Sequence, residues 1–197
     1  ISSVTNHVPT STVFIPGQNF KNAITSLGPT GVVKSFKHAN AAPPAGTATT
    51  VVSTADSEVP AYAWYDPAAQ SILWWSDADT AYANEDSSHM FEDIGDNYGN
   101  MDFIDMADIN TSRVKNMSYM FHGGKWIIKR LNLTGFDTSN VEDMREMFGS
   151  YNICSPSNIP DPIDFSSFNT SNVRTMAGMF SGACLPTIDI RNFNTMM

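Results

Sequence analysis

One thirteen-residue pattern recurs in the C-terminal half of the sequence and constrains the fold more than any other feature. It reads INTSRVKNMSYMF from Ile109, FDTSNVEDMREMF from Phe136 and FNTSNVRTMAGMF from Phe168, and a shortened copy, FNTMM, begins at Phe193. The threonines of successive copies are 27, 32 and 25 residues apart. Self-similarity at this period is typical of solenoids, in which stacked units bury a core that no single unit can bury.

Each repeating unit begins with a short segment that is typical of a strand. These segments alternate apolar and polar residues, and they lie at 104–106, 131–133, 163–165 and 188–190. A period of two predicts a half-buried strand, with its middle residue pointing outward. Stacking the units would place these strands side by side in one parallel sheet.

The thirteen-residue pattern itself predicts a short helix. Val141, Met144, Met147 and Phe148 have the spacing of one helical face. Ser139 followed three residues later by Glu is a capping-box pattern, so we expect each helix to begin at the Thr-Ser pair. The apolar face of that helix would pack behind the parallel sheet.

The pattern, followed by a segment of the LxL type, resembles the BspA-type leucine-rich-repeat surface proteins of bacteria over residues 87–197. The resemblance implies an α/β leucine-rich-repeat solenoid, with a parallel sheet and short helices, on an extracellular protein linked with adhesion. Two intervening segments, Gly123 to Arg130 and Gly149 to Pro162, are longer and more varied than the compact repeat of that family. The last copy is incomplete, so we expect the chain to end inside a longer array of about four or more units.

Residues 1–86 lack the repeat and are predicted to form an N-terminal α+β cap over the first unit. Apolar spacing predicts a helix over residues 18–27 and strands at 32–36 and 49–53. Two aromatic runs, at 61–65 and 71–76, are joined by a five-residue loop and predict a β-hairpin. We expect Trp64, Trp74 and Trp75 to pack inside this cap rather than to stack on sugars.

The formal net charge of −9 argues against nucleic acid as a partner, since such proteins need clustered Lys and Arg. No run of 18 apolar residues is present, so we expect no direct insertion into a membrane. The chain starts at Ile1 without a signal peptide, and we interpret it as a mature or trimmed form.

Two cysteines, Cys154 and Cys184, occupy similar places in neighbouring units. Stacked coils lie ~4.8 Å apart, which is within reach of a disulfide if the side chains face each other. We favour two buried free thiols, which behave as small apolar residues, and the disulfide remains the alternative.

The sequence contains no constellation that predicts catalysis. The four histidines are scattered without metal-ligand spacing, and there is no phosphate-binding or nucleophile motif. The acidic stretch at 77–96 lacks the spacing of a calcium loop. We therefore expect a protein that is not an enzyme and that uses no cofactor or metal.

Candidate binding residues come from the outward positions of the predicted strands. The middle residues form a mostly acidic row, and two arginines flank it: Asp105, Asn132, Asp164, Asp189, Arg130 and Arg191. The row is interpreted either as a binding stripe for a basic partner or as polar residues that keep the sheet soluble and unpaired. Trp126, in an irregular loop, is a further candidate because loops on one face of a repeat protein often bind.

These observations predict a non-enzymatic binding or adhesion module on the bacterial cell surface. Its partner would be a host protein, a matrix component or a glycan, and this inference rests on analogy of fold. The alternative is a structural spacer that displays other domains. The uncapped C-terminal coil would also expose apolar surface, through which copies could associate end to end.

Overall fold

The computed structural model describes residues 6–28, 33–94, 101–123, 128–152 and 159–194. This part of the chain contains one helix, α1 (Gly17–Thr25), and nine strands. The strands are β1 (Ser11–Val13), β2 (Ser35–His38), β3 (Thr50–Val51), β4 (Ala61–Asp66), β5 (Ser71–Ser76), β6 (Thr80–Tyr82), β7 (Met101–Asp105), β8 (Ile109–Asn110) and β9 (Ile128–Asn132).

The strands form two sheets. The larger has six strands in the order β3-β4-β5-β2-β7-β9, and the smaller has three in the order β1-β6-β8. The pairs β3–β4 and β4–β5 are antiparallel, and every other pair of strands is parallel. Each sheet contains strands from both sides of residue 86. The predicted domain boundary at that residue stays a prediction.

The N-terminal helix and the aromatic hairpin are confirmed. Helix α1 buries Phe20 and Ile24, and β4 pairs with β5 along their whole length. Trp64 and Trp74 are buried, as expected for packing inside the cap, whereas Trp75 is only partly buried. The first residue of α1, Gly17, donates its N–H to the carbonyl of Asp86 over 2.9 Å. The start of the helix is therefore bonded to the segment that precedes the first full copy of the motif.

The predicted α/β leucine-rich-repeat solenoid, with a helix in every unit, is wrong. The structure is a sheet-rich fold, and α1, with nine residues, is the single helix of the described chain. Apart from β8, which opens the first copy, the described parts of the motif copies contain turns and isolated parallel bridges and no helix. Strands form at two of the four predicted positions, in β7 and β9, and none forms in the described segments 163–165 and 188–190.

Four equivalent segments, which we call motif turns, replace the predicted helices. The first to fourth motif turns are residues 84–93, 114–123, 141–150 and 173–182. Each contains two residues with positive φ, at the position two before the phenylalanine and again two after it. These residues are His89, Asp93, Tyr119, Gly123, Glu146, Ser150, Gly178 and Gly182, with φ between 51° and 76°. A right-handed helix requires negative φ throughout, so these positions exclude it.

In a helix, each N–H would donate to the carbonyl four residues back in the same segment. In the first three motif turns, alternate N–H groups donate instead to carbonyls of the next motif turn. In the second turn, the N–H groups of Met117, Tyr119 and Phe121 donate to the third turn over 2.9 Å each. Between these, the N–H of Met120 closes a β-turn on the carbonyl of Met117 over 3.3 Å, and the N–H of Ser118 donates to Oδ1 of Asn116 over 2.9 Å. This alternation explains why apolar residues spaced by three or four face one side without forming a helix.

The apolar residues of the motif point inward, as the pattern predicted. Their phenylalanines form a column in which Phe91, Phe121, Phe148 and Phe180 stack at centroid distances of 5.5–5.8 Å. A second column joins Phe136, Phe168 and Phe193. The methionines beside the first column are buried, and they fill the space between the columns and the sheets.

The threonine of each Thr-Ser pair links neighbouring units and does not cap a helix. The hydroxyl of Thr138 donates to the carbonyl of Asn169 over 2.9 Å and accepts that residue's N–H over 2.8 Å. Thr111 makes the same pair of bonds with Asp137. Asn172 adds a third link, since its amide donates to the carbonyl of Ser139 over 2.6 Å.

We expect Thr138→Val to lower the free energy of unfolding by about 1–3 kcal/mol, because it removes both hydrogen bonds between the buried Thr138 hydroxyl and the main chain of Asn169. Thr49→Val, at an exposed position, is the matched control and should change stability by less than about 0.5 kcal/mol. Urea unfolding of both variants measures the difference. Equal stabilities would show that the hydroxyl link does not support the stacking.

Candidate functional site

The structure brings the predicted outward row together on one face. Asp105 and Asn132 are direct partners in the register of β7 and β9. The amide of Asn132 donates to Oδ1 of Asp105 over 2.9 Å, which ties the first two members of the row. Asp164 and Asp189 continue it, and both side chains are exposed.

Each member of the row also shapes the chain that follows it. Oδ1 of each residue accepts the main-chain N–H of the residue two positions later, at 2.9–3.3 Å, a pattern shared by Asp105, Asn132, Asp164 and Asp189. These Asx turns reverse the chain at the end of each strand or strand-like segment. The turn therefore partly determines which residue types occupy the row. In the sequence, these turns are signalled by an Asp or Asn that directly follows the first apolar residue of each strand-like segment.

Hydrogen bonds lower the pKa of both exposed carboxyls in the row. The N–H of Ser166 holds the pKa of Asp164 below its usual value of 3.8, and the side chain of Arg191 does the same for Asp189. Both carboxylates are thus charged at neutral pH. A charged carboxylate in this position can attract a cation without any change of protonation.

The two flanking arginines have different surroundings. Arg191 pairs with Asp189 through two bonds, Nε to Oδ1 at 2.9 Å and Nη2 to Oδ2 at 2.6 Å. Arg130 lies over the ring of Phe103, with its guanidinium carbon 4.2 Å from the ring centre. The charge of Asp189 is consequently balanced by Arg191 of the same chain. Asp164 has no basic partner among the described residues.

Two adjoining cavities open along the row. One of about 430 Å³ is lined by polar groups of Asp164, Ser166, Asp189 and Arg191. The other, of about 300 Å³, lies between Asn132 and the same Asp164 and Ser166. Asp164 thus borders both cavities, and it is the member of the row best placed to meet a ligand.

Two other predictions concern Trp126 and the two cysteines. Trp126 lies outside the described residues, so its proposed exposure stays a prediction. Cys184 forms a disulfide, and no described cysteine is free, so the expectation of two free thiols is wrong. The N–H of Cys184 donates to the carbonyl of Tyr151 over 2.8 Å, which places it beside the chain that leads to Cys154.

Sequence reasoning missed a cluster of titratable side chains on the motif turns. Glu92 accepts from Nδ1 of His89 over 2.8 Å and pairs with Lys21 of α1 at 3.3 Å. The ring of His122 lies between Glu92 and Glu146, at 3.8 and 3.9 Å from their oxygens. The histidines are 33 residues apart in the sequence, and their proximity follows only from the stacking register.

Burial alone would raise the pKa of Glu92, but the bonds from His89 and Lys21 outweigh it, and the pKa lies below its usual 4.5. The cluster therefore ties the cap to the first motif turn through a charged carboxylate. No group of three or more His, Cys, Asp or Glu within the described ranges could hold a metal ion.

Within the described residues, no helix is long and apolar enough to cross a bilayer. A family model described as "Mycoplasma protein of unknown function, DUF285" matches residues 85–197, which is more than half of the chain. The matched segment begins in the first motif turn and includes all of the predicted row. No curated protein and no solved structure matches the sequence.

We expect Glu92→Gln to lower the free energy of unfolding by about 1–3 kcal/mol at pH 7, because the amide cannot replace a charged acceptor. The folded-state pKa of Glu92 is depressed, so its contribution is full above pH 4.5 and is lost as the pH falls through the folded-state value. The wild-type and variant stabilities should therefore converge in acid. Asp56→Asn, at an exposed carboxylate, is the control, and an undiminished gap at low pH would contradict the assignment.

Proposed function

This chain belongs to the DUF285 family of bacterial surface-associated proteins, and from that premise we propose that it is a non-enzymatic extracellular binding module. The family is consistent with a location at the cell surface. The proposed site is the outward row of Asp105, Asn132, Asp164 and Asp189. Its partner would be a host protein or a matrix component.

One observation carries the proposal. The carboxylate of Asp164 is exposed and charged, borders both cavities, and has no basic partner in the described part of the chain. Its Oδ1 is occupied by the N–H of Ser166, which fixes the orientation of the carboxylate. Oδ2 is the atom left to accept a donor from another molecule.

The chemistry of the row favours a protein partner with Lys or Arg side chains. A cationic side chain can bond to Oδ2 of Asp164, while the Asp189–Arg191 pair offers further donors and acceptors without net charge. The net charge of −9 would speed the approach of a basic partner at low salt. A glycan could use the same polar groups, and then binding would depend little on salt.

A structural spacer is the second candidate function, and one observation favours it. Every member of the row already serves the fold through its Asx turn, so the row is explained without a ligand. A spacer would bind none of the molecules that a surface protein meets.

The test is a binding array of matrix proteins, serum proteins and glycans, probed with the whole chain at physiological salt. Asn132 shows that an amide can hold the same turn, so Asp164→Asn removes the charge and keeps the fold. We expect this variant to weaken a protein hit about two- to fivefold, the range of a single exposed ion pair, and to reduce its salt dependence.

The control is Asp77→Asn, which removes an exposed carboxylate just after β5, far from the row in sequence. It should leave binding unchanged. A hit that Asp164→Asn and Asp164→Lys both leave intact would contradict the row as the binding site. The absence of any hit, with a folded and monodisperse sample, would favour the spacer.

A further inference from the structure

Two aromatic side chains of the β4–β5 hairpin lie on the outer face of the larger sheet. Successive side chains of a strand point to opposite faces. Trp74 is 2% exposed, so its neighbour Trp75 points to the opposite face, where it is only partly buried. In β4, Ala61 and Ala63 are fully buried, so Tyr62 between them also points outward, and it too is partly buried. The hairpin therefore packs one face on the core and leaves two aromatic rings on the other.

The two rings belong to one row that crosses three strands. Tyr62 is the direct partner of Trp75 in the register of β4 and β5, and on its other side it is the partner of Val51 of β3. Directly opposed residues have Cβ atoms about 4.5–5.5 Å apart, so their side chains lie next to each other. Val51, on the strand at the edge of the sheet, is 52% exposed. We call Val51, Tyr62 and Trp75 the aromatic platform.

Two other partly buried aromatic rings are covered by arginines of the chain itself. The guanidinium carbon of Arg113 lies 3.6 Å from the centre of the Tyr82 ring. Arg130 lies over Phe103 at 4.2 Å, and these two residues are direct partners in neighbouring strands. The face of an aromatic ring is the negative side of its quadrupole and attracts a cation. Both cations are arginines, whose planar guanidinium can stack flat on a ring.

The aromatic platform has no such cover. Neither Tyr62 nor Trp75 has a cation over its ring, a ring partner or a side-chain hydrogen bond in the described part of the chain. Lys37, the partner of Leu73, is the lysine closest to Trp75 in the register, and it makes no contact with the ring face. Most other described Lys and Arg side chains are in ion pairs with carboxylates of the chain.

We propose that the aromatic platform binds an arginine side chain of a partner protein. The guanidinium stacks on the ring faces of Tyr62 and Trp75, as Arg113 and Arg130 stack on rings within the chain. The formal net charge of −9 favours the approach of a basic segment. A glycan is the other ligand that stacks on aromatic rings, but the chain covers its own rings of this kind with cations.

The platform is separate from the acidic row. The platform lies on β3, β4 and β5, whereas the row begins on β7, and β2 lies between them in the sheet. The inference therefore does not rest on the proposed function of the row, and each surface can be tested without the other.

The test uses the isotope-labelled full chain and the probe N-acetyl-L-argininamide, followed by NMR at the indole N–H groups of the tryptophans. We expect the probe to shift the Trp75 signal saturably. The signals of Trp64 and Trp74 are the internal control, because both residues are buried. N-acetyl-L-citrullinamide has nearly the same shape without the charge, and it should bind about two- to fivefold more weakly.

A variant tests whether the two rings act together. Tyr62→Leu keeps an apolar side chain in β4 and removes the ring face, so it should weaken probe binding at Trp75 about two- to fivefold. Tyr82→Leu is the matched control, because that ring is already covered by Arg113, and it should leave probe binding unchanged. The melting temperature of each variant shows that it is folded.

Four outcomes would overturn the proposal. The first is a citrulline probe that binds as tightly as the arginine probe, which would remove the need for a cation. The second is a Trp75 signal that shows no saturable shift, and the third is Tyr62→Leu binding the probe as tightly as the unmodified chain. The fourth is maltohexaose shifting Trp75 saturably where the arginine probe does not, which would assign the platform to glycans.

A last variant separates the two surfaces. Asp164→Asn changes only the acidic row, so we expect it to leave the probe-induced shift of Trp75 unchanged. A loss of that shift would place the probe on the row and overturn the platform. A failure of the row in the binding array would leave the probe titration of the platform unaffected.

Discussion

The main-chain bonds between motif turns are the constraint on which the rest of the structure depends. Two residues with positive φ in each turn exclude a helix. The N–H groups of the turn therefore need acceptors other than the carbonyls four residues back. The next turn supplies those acceptors in a fixed register. This register aligns the phenylalanines into columns, places Thr138 against Asn169 and sets the spacing of the outward row.

The residues of the proposed binding row therefore have a structural role, in the turns of the fold, whether or not they bind a partner. Asp164 accepts the N–H of Ser166, and Asp189 accepts both its turn N–H and Arg191. What remains for a partner is the second oxygen of Asp164 and the polar walls of two cavities. Replacing Asp by Asn separates the two roles, because the amide keeps the turn and loses the charge.

The sequence predicted which side chains are inside far better than it predicted the local conformation. The motif's valines, methionines and phenylalanines point inward, and α1 and the aromatic hairpin form where expected. Apolar residues spaced by three and four are equally compatible with a helix and with repeated left-handed turns. Tyr119 and Glu146 adopt positive φ without a glycine to signal it, whereas a glycine, Gly178, stands at the equivalent position of the fourth turn.

Contacts between units could not be read from the sequence because they depend on the register. That register brings His122 near Glu92 and Glu146, and it places Cys184 beside Tyr151. The same register gives the stack a direction, since every turn donates N–H groups toward the C-terminal side. At the opposite end, Gly17 supplies a donor to the first turn, and α1 covers it. The equivalent N–H groups of Met176, Gly178 and Phe180 in the fourth turn find no acceptor among the described residues.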